Sequence, residues 1–319
     1  MKAVLCLIVL LAVAGSVWAA GAGGKPADWP VRPVQLVVPF APGGDSDMNT
    51  RIYTTRLGAV LGQPVVVQNI SGGGGVVGAT QVANSAPDGY SVIQWHTGMA
   101  VSNTSGATKL TIDSYELAAI IALSDFTVMV NKDSPYKTFQ ELRAATLAQP
   151  DTLLYGALFN SASHAVGLFM NEKAGAKFRI VDAGDAANRN TSLMGGHFHS
   201  IGAVMGTVTA FLQSGDFRPL LIAGKERNPI YKDVPTVVDL GIPDAAFPTL
   251  YFFAFPKGTP RNIVEKFADA CETVYKSQDY KTELVNKFLQ NPYFKRGNEA
   301  LTMFRDQEKE VAKLAPHFK

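Results

Sequence analysis

Short apolar runs of strand length alternate with longer stretches of helical spacing along most of the chain. Leu36-Val37-Val38 is a β-branched run, the pattern of a strand buried on both faces. Pro39 and Pro42 remove backbone donors, so this strand ends by Phe40, and Gly43-Gly44 turns the chain. Met48, Ile52, Leu57, Val60 and Leu61 then recur at helical spacing until Gly62 and Pro64 stop the helix. Pro64–Gln68 predicts a second buried strand, which runs into Gly72–Gly75 and a short helix carrying Val77, Val82 and Ala83. After the turn at Pro87-Asp88-Gly89, Tyr90–Ile93 predicts a third strand, opening into a polar stretch over Trp95–Thr108.

A second alternation follows. Phe126–Val130 predicts a strand, Thr138–Glu141 a capping box that opens a helix, and Leu153–Tyr155 a short strand. The pattern then predicts a helix over Ser163–Glu172, strands over Arg179–Val181, Ser200–Val204 and Arg218–Ala223, and a helix over Thr207–Gln213. Tyr251–Phe255 is an aromatic strand read as core and hinge packing. Thr259 as N-cap and Pro260 at the first helical position open a helix with Ile263, Val264, Phe267, Cys271 and Val274 as its apolar stripe. A last helix is expected near Glu299–Leu314. Two βα sets linked by two extended strands predict an α/β protein of two lobes.

The chemistry lies where strands hand over to helices. A strand end, a glycine turn and a helix start expose backbone N–H groups to which an anion is attracted. In open α/β sheets, ligands lie beyond the carboxyl ends of the strands. The loop Phe40–Ser46 is therefore half of a candidate binding cleft, with Asp45, Ser46 and Asp47 as candidate N-caps of the following helix.

The N-terminus changes the compartment. Met1-Lys2 followed by the apolar Ala3–Gly15 and the small residues at Ala19 and Ala20 reads as a signal peptide, cleaved after Ala19 or Ala20. No later segment approaches the roughly 20 apolar residues of a membrane helix. The expectation is an exported, periplasmic chain. Cys6 leaves with the signal, so Cys271 remains without an intramolecular partner and is expected to be buried and inert. Twenty-nine basic against 27 acidic residues, with no basic stripe, argues against nucleic acid as a partner.

The run Arg32-Pro33-Val34 through Pro39-Phe40-Ala41-Pro42-Gly43-Gly44, with Asp47 and Arg51, resembles the Bug-type receptors, the exported solute-binding proteins of tripartite tricarboxylate transporters. The resemblance continues through Leu61–Val67, Asn69, Gly72, Gly74-Gly75, Gly78-Ala79 and Ala86–Tyr90, and more weakly through Ser163-His164, Gly195-Gly196, Arg218-Pro219-Leu220 and Gly258-Thr259-Pro260.

It implies a two-lobe, type II periplasmic-binding-protein fold and a hinge that closes on a small mono-, di- or tricarboxylate. It also implies delivery to a membrane permease by a protein expected to be monomeric, with no cofactor, metal or catalytic residue. The expected divisions are 1–20 signal peptide, 21–28 linker, 29–125 plus 250–319 for one lobe and 126–249 for the other. By the same resemblance, Phe40 is a wall, Ala41 and Gly43 belong to the clamp, and Gly44, Asp45 and Ser46 offer donors. Asn69 and Gly72, Gly73, Gly74 and Gly75 approach from the second loop, and His96-Thr97 from the third. Ser161, Ser163, His164 and Asp182 come from the opposite lobe. The ligand is expected to be held by neutral donors rather than by a desolvated arginine.

Asp45 departs from the family pattern, standing where a small polar residue is usual. It either caps the helix or selects a ligand carrying an amino or hydroxyl group. Three sharper chemistries are weaker. Gly73-Gly74-Gly75-Val76-Val77-Gly78 fits a dinucleotide fingerprint without a well-placed acidic partner. His197 and His199 lack convergent metal ligands. Ser163-His164 cannot form a nucleophile–base pair as neighbours, so a hydrolase is disfavoured, while a ligand sensor for a signalling partner stays open.

Overall fold

A computed structural model describes residues 29–318, so the expected signal peptide and linker lie outside the described residues. The first βα set is β1 (Val34–Val38), α1 (Asp45–Leu61), β2 (Val65–Asn69), α2 (Val76–Ala83), β3 (Ser91–His96) and α3 (Gly98–Thr104). β4 (Tyr115–Asn131) leads to α4 (Phe139–Ala148), β5 (Leu154–Ala157), α5 (Ala162–Glu172), β6 (Arg179–Asp182) and α6 (Ala186–Met194). Then come β7 (Ser200–Val204), α7 (Thr209–Gln213) and β8 (Phe217–Ile222). The chain closes with β9 (Pro248–Pro256), α8 (Arg261–Lys276), α9 (Gln278–Phe288), β10 (Lys295–Arg296) and α10 (Gly297–Ala312).

The strand order is β2-β1-β3-β9-β4-β7-β5-β6, with β8 and β10 also pairing β4. β1, β2 and β3 run parallel, as do β5, β6 and β7, and β9 and β4 join the two groups antiparallel. β4 changes partners midway. Its residues to Asp125 pair β9, whereas Phe126 to Asn131 pair β7 and β8. Rings from β9 and α8 pack Trp29, Phe253, Phe255 and Phe267 into one core, while Phe126, Phe139, Phe169, Phe178 and Phe247 fill another. Each group of parallel strands therefore has its own buried filling, and burial of this apolar surface is the main stabilising term for each.

Local details correct several expectations. β4 begins at Tyr115, 11 residues before the predicted strand, because Tyr115–Asp125 is an apolar, Ala-rich run without strand alternation. α3 forms over a stretch expected to be an open loop, with Gly98 to Ser102 all buried, so packing rather than propensity makes the helix. Thr259 does not cap α8. Pro260 is the N-cap, and the Thr259 hydroxyl donates to the Pro256 carbonyl at 2.8 Å. Thr138 accepts from Glu141 N–H at 3.2 Å, but Glu141 accepts from Lys137 N–H, leaving the box half made. Cys271 is fully buried, and burial raises its thiol pKa far above the ordinary value.

Asp125 sits where β4 changes partners. The residue keeps some exposed surface, but its carboxyl Oδ1 is sealed from solvent without a hydrogen-bond partner. Burial, helped by the charge of Glu226, pushes this carboxyl up to about 7. The folded state thus holds a proton that the unfolded chain releases between about pH 4 and 7. Asp125 therefore destabilises the fold above pH 7. Asp125→Asn is expected to raise stability at pH 8 by about 1–3 kcal/mol and to gain nothing at pH 4. Urea titrations at the two pH values check this, and equal stability of both proteins at pH 8 contradicts it.

Candidate functional site

The carboxyl ends of β1, β3, β5 and β6 converge on one gap. Its lining comes from the β1–α1 turn (Phe40, Ala41, Pro42, Gly44, Asp45), from His96, and from Ser161, Ala162 and Ser163 at the start of α5. Asp185, Ala186, Ala187 and Arg189 at the start of α6 complete it, with Phe126 and Leu158 at the side. The enclosed space is about 40 Å³, room for one or two waters. Across its rim, Ser102 Oγ donates to the Asn160 carbonyl at 2.7 Å. A Cβ on Gly74 would stand 2.8 Å from that same carbonyl, so only glycine allows this approach.

Three helices start at this gap. α1 begins after Gly44 and α5 after Ser161, and neither has a side-chain cap. The N–H groups of Asp45, Ser46 and Asp47 in α1 and of Ala162 and Ser163 in α5 therefore remain available, while His164 N–H donates to the Ser161 carbonyl at 3.1 Å. α6 is capped by Asp185, which accepts from Asn188 N–H at 3.0 Å. Ser161 and Ser163 hydroxyls lie 3.0 Å apart, and Ser163 Oγ accepts from Leu158 N–H at 2.9 Å. The aligned peptide dipoles add positive potential at each helix start.

His96 is clasped by aromatic rings. It stacks on Phe40 with centroids 4.8 Å apart and meets Tyr251 edge-on at 5.4 Å. Its Nδ1 accepts from Gly98 N–H at 2.8 Å, a contact possible because a Cβ at Gly98 would fall 2.4 Å from the ring. Burial pushes this imidazole down to about 4, against the raising field of Asp45. The ring is therefore neutral near pH 7, with its proton on Nε2.

Two opposite charges also line the gap. The Tyr251 hydroxyl donates to Asp45 Oδ2. Burial and the adjacent Asp45 charge raise the Tyr251 pKa well above its usual value, so it stays a donor. Arg189 is 5% exposed. Its Nη1 donates to the Gly184 carbonyl at 3.1 Å, and its Nε is buried without a partner. Among the described residues no carboxylate lies within 4.0 Å of the guanidinium, although the negative fields of Asp45 and Asp185 partly offset the burial that lowers its pKa.

The structure brings together seven of the expected ligand residues: Phe40, Ala41, Gly44, Asp45, His96, Ser161 and Ser163. The others have different surroundings. Asn69 donates to the Phe40 carbonyl and to Asp47 Oδ1, both at 3.0 Å, and so holds the clamp from behind. Gly43 N–H is bound by Asp47 at 3.0 Å. Burial would raise the Asp47 carboxyl, but hydrogen bonds from Arg51, Gly43 and Asn69 outweigh it and hold the group low. Ser46 is buried with an unpartnered hydroxyl.

Gly72 and Gly73 lie in the turn before α2, and Gly75 backs onto Trp95 and Phe40. Thr97 fastens β3 to β9, its hydroxyl accepting from Leu250 N–H at 2.9 Å. His164 stacks on Phe159 at 4.5 Å, and Asp182 accepts from Gly184 N–H at 3.1 Å.

One of the two alternatives for Asp45 is ruled out: it is not a helix cap, because Gly44 holds that position with no side-chain bond and the carboxylate turns to Tyr251 instead. The gap also contains a desolvated arginine, where the expectation favoured neutral donors over a fully desolvated arginine pair. Arg189 stands four residues after Asp185, a spacing that reads in sequence as a solvated helix-surface ion pair. Phe126, expected at the start of a strand and near the hinge, also lines the gap.

No group of three or more potential metal ligands occurs among the described residues, and none of their helices is long and apolar enough to cross a membrane. The profile of the tripartite tricarboxylate transporter family receptor (TctC) matches residues 50–316. A UPF0065 protein of Cupriavidus necator is 32% identical over 293 residues, covering 88% of each chain. Among solved structures, the periplasmic binding protein BugD superposes with a TM-score of 0.80 at 25% identity, covering 91% of this chain and 98% of its own. MatC of Rhodopseudomonas palustris, solved with bound malate, superposes with a TM-score of 0.78 at 26% identity, over 91% of this chain and all of MatC. Mixed parallel βα groups, a gap at the strand ends and a profile match over most of the length have one meaning: this chain belongs to the tripartite tricarboxylate transporter family of receptors, as its Bug-type motifs imply.

Proposed function

We propose that the protein is a periplasmic receptor that captures a small organic carboxylate in the gap at the strand ends and hands it to the membrane permease of a tripartite transporter. The observation that carries this reading is Arg189, a guanidinium 5% exposed with an unpartnered Nε beside two uncapped helix starts. A buried charge without a counter-ion costs several kcal/mol, and an incoming carboxylate removes that cost. The Ala162 and Ser163 N–H groups at the start of α5 and the neutral Nε2–H of His96 supply further donors, the Ser161 hydroxyl being spent on the Leu158 carbonyl, and Phe40 forms an apolar wall. MatC, a solved relative of the same fold, carries malate, whose carboxylate is the kind of group these donors would take.

Ligand pockets usually enclose 300–1,000 Å³, against about 40 Å³ here. Entry therefore requires the gap to open. Residues 29–125 with 250–319 form one lobe and 126–249 the other, rotating about β4 near Phe126 and the chain leading into β9. As in a solute receptor, the carboxylate is bound and released unchanged. The mature chain starts after Ala19 or Ala20 and works as a monomer.

An organic acid that binds at 100 times its Kd adds about 2.7 kcal/mol of stability, read as a rise in Tm across an acid panel. Arg189→Met is expected to weaken the best acid about 100-fold while leaving the unliganded protein equally or more stable. Unchanged affinity with a large loss of stability would make Arg189 structural and sink the assignment.

His96 has a folded pKa near 4, below its ordinary 6.5, so the unfolded chain takes up a proton that the fold refuses. Its contribution to stability is full above pH 6.5 and is lost as pH falls towards 4. Relative to His96→Asn, the wild-type protein should lose roughly 3 kcal/mol over that interval. An NMR titration that protonates His96 near pH 6.5 would contradict it.

A further inference from the structure

Resting on the carboxylate reading above, we infer that the preferred ligand is an amino acid, with its carboxylate on Arg189 and its ammonium group on Asp45. Both charges line the same small gap, yet they do not pair with each other. Arg189 has no carboxylate within 4.0 Å among the described residues. Asp45 spends one carboxyl oxygen on the Tyr251 hydroxyl, while its other oxygen has no hydrogen-bond partner and is not sealed from the gap. The site thus presents one unmet cation and one half-met anion, held apart by separate elements. Asp45 is fixed at the first position of α1 and Arg189 on α6.

Charge bookkeeping decides what fits between them. A dicarboxylate brings two negative charges to a site whose own charges cancel, and one of its ends then faces Asp45 in a water-poor space, which is unfavourable. A neutral apolar acid satisfies Arg189 and leaves the Asp45 oxygen desolvated without a donor. A zwitterion leaves every charge with an opposite neighbour and adds no net charge. A hydroxyl can donate to Asp45 as well, but a charge-assisted bond from an ammonium is roughly twice as strong. The Tyr251 hydroxyl, kept protonated by burial and the adjacent carboxylate, holds Asp45 pointing at the ligand and cannot itself take the place of a cation.

The test is isothermal titration of the mature chain with matched acids that differ only at the donor position: succinate, malate and aspartate, and butyrate with 2-aminobutyrate and 4-aminobutyrate. The amino member of at least one series should bind at least about tenfold tighter than its hydrogen counterpart, with malate between succinate and aspartate. In Asp45→Asn that preference should collapse to less than about threefold, with the plain acids holding or gaining affinity. Succinate or malate binding as tightly as aspartate in the wild-type protein, with no preference in the butyrate series, would overturn the inference while leaving a carboxylate receptor. Binding by no acid of either kind would remove the receptor reading itself. The wild-type comparison stands even if Asp45→Asn fails to fold.

Discussion

A guanidinium taken out of water without a counter-ion is the constraint around which this protein is arranged. Several kcal/mol of desolvation at Arg189 are offset by burial elsewhere, with Leu193 of the same helix packed into a core with Met129, Ile201 and Ala203. Arg189 sits one turn into α6, whose start is capped by Asp185, and its Nη1 is tied to Gly184. That geometry puts Arg189 on the lining of the same gap to which α1 and α5 turn their uncapped first turns. Such a site is poorly stable when empty and complementary to an anion, a sensible distribution of free energy for a receptor that must bind and then release.

The opposing wall is held just as firmly, by an ion pair and hydrogen bonds behind it. Asn69, Asp47 and Arg51 form a network behind the β1–α1 turn, so that Phe40 and Gly44 keep their places without touching the ligand themselves through charge. His96 is fixed by Gly98 N–H on one side and by Phe40 and Tyr251 on the others. Asn69 and Thr97, expected from the family resemblance to meet the ligand, here hold the backbone around the gap.

Much of the scaffold was legible from spacing, because strands are written as dense β-branched runs and α1 stops at Gly62, although β2 lies at the sheet edge with Val66 exposed rather than buried on both faces as expected. The first half of β4 was not, since an Ala-rich apolar run carries no period that separates strand from helix. α3 escaped for a related reason: Gly, Ser, Asn and Thr favour loops, and burial on every side overrode them. At the site, the β1–α1 turn and the α5 start were readable as anion-seeking backbone. Arg189 was not, because Asp185 and Arg189 have the spacing of an ordinary surface pair, and only the tertiary fold drives the arginine inward. Asp45 was ambiguous for the same reason. Its partner Tyr251 lies 206 residues away in sequence, and without that hydroxyl a helix cap was the simpler reading.

A crystal structure of the mature chain grown with its tightest-binding organic acid would locate the ligand. A carboxylate oxygen is expected within about 3 Å of the Arg189 guanidinium, seated between the starts of α1, α5 and α6. An acid lodged elsewhere, with the Arg189 guanidinium still unpaired, would contradict it.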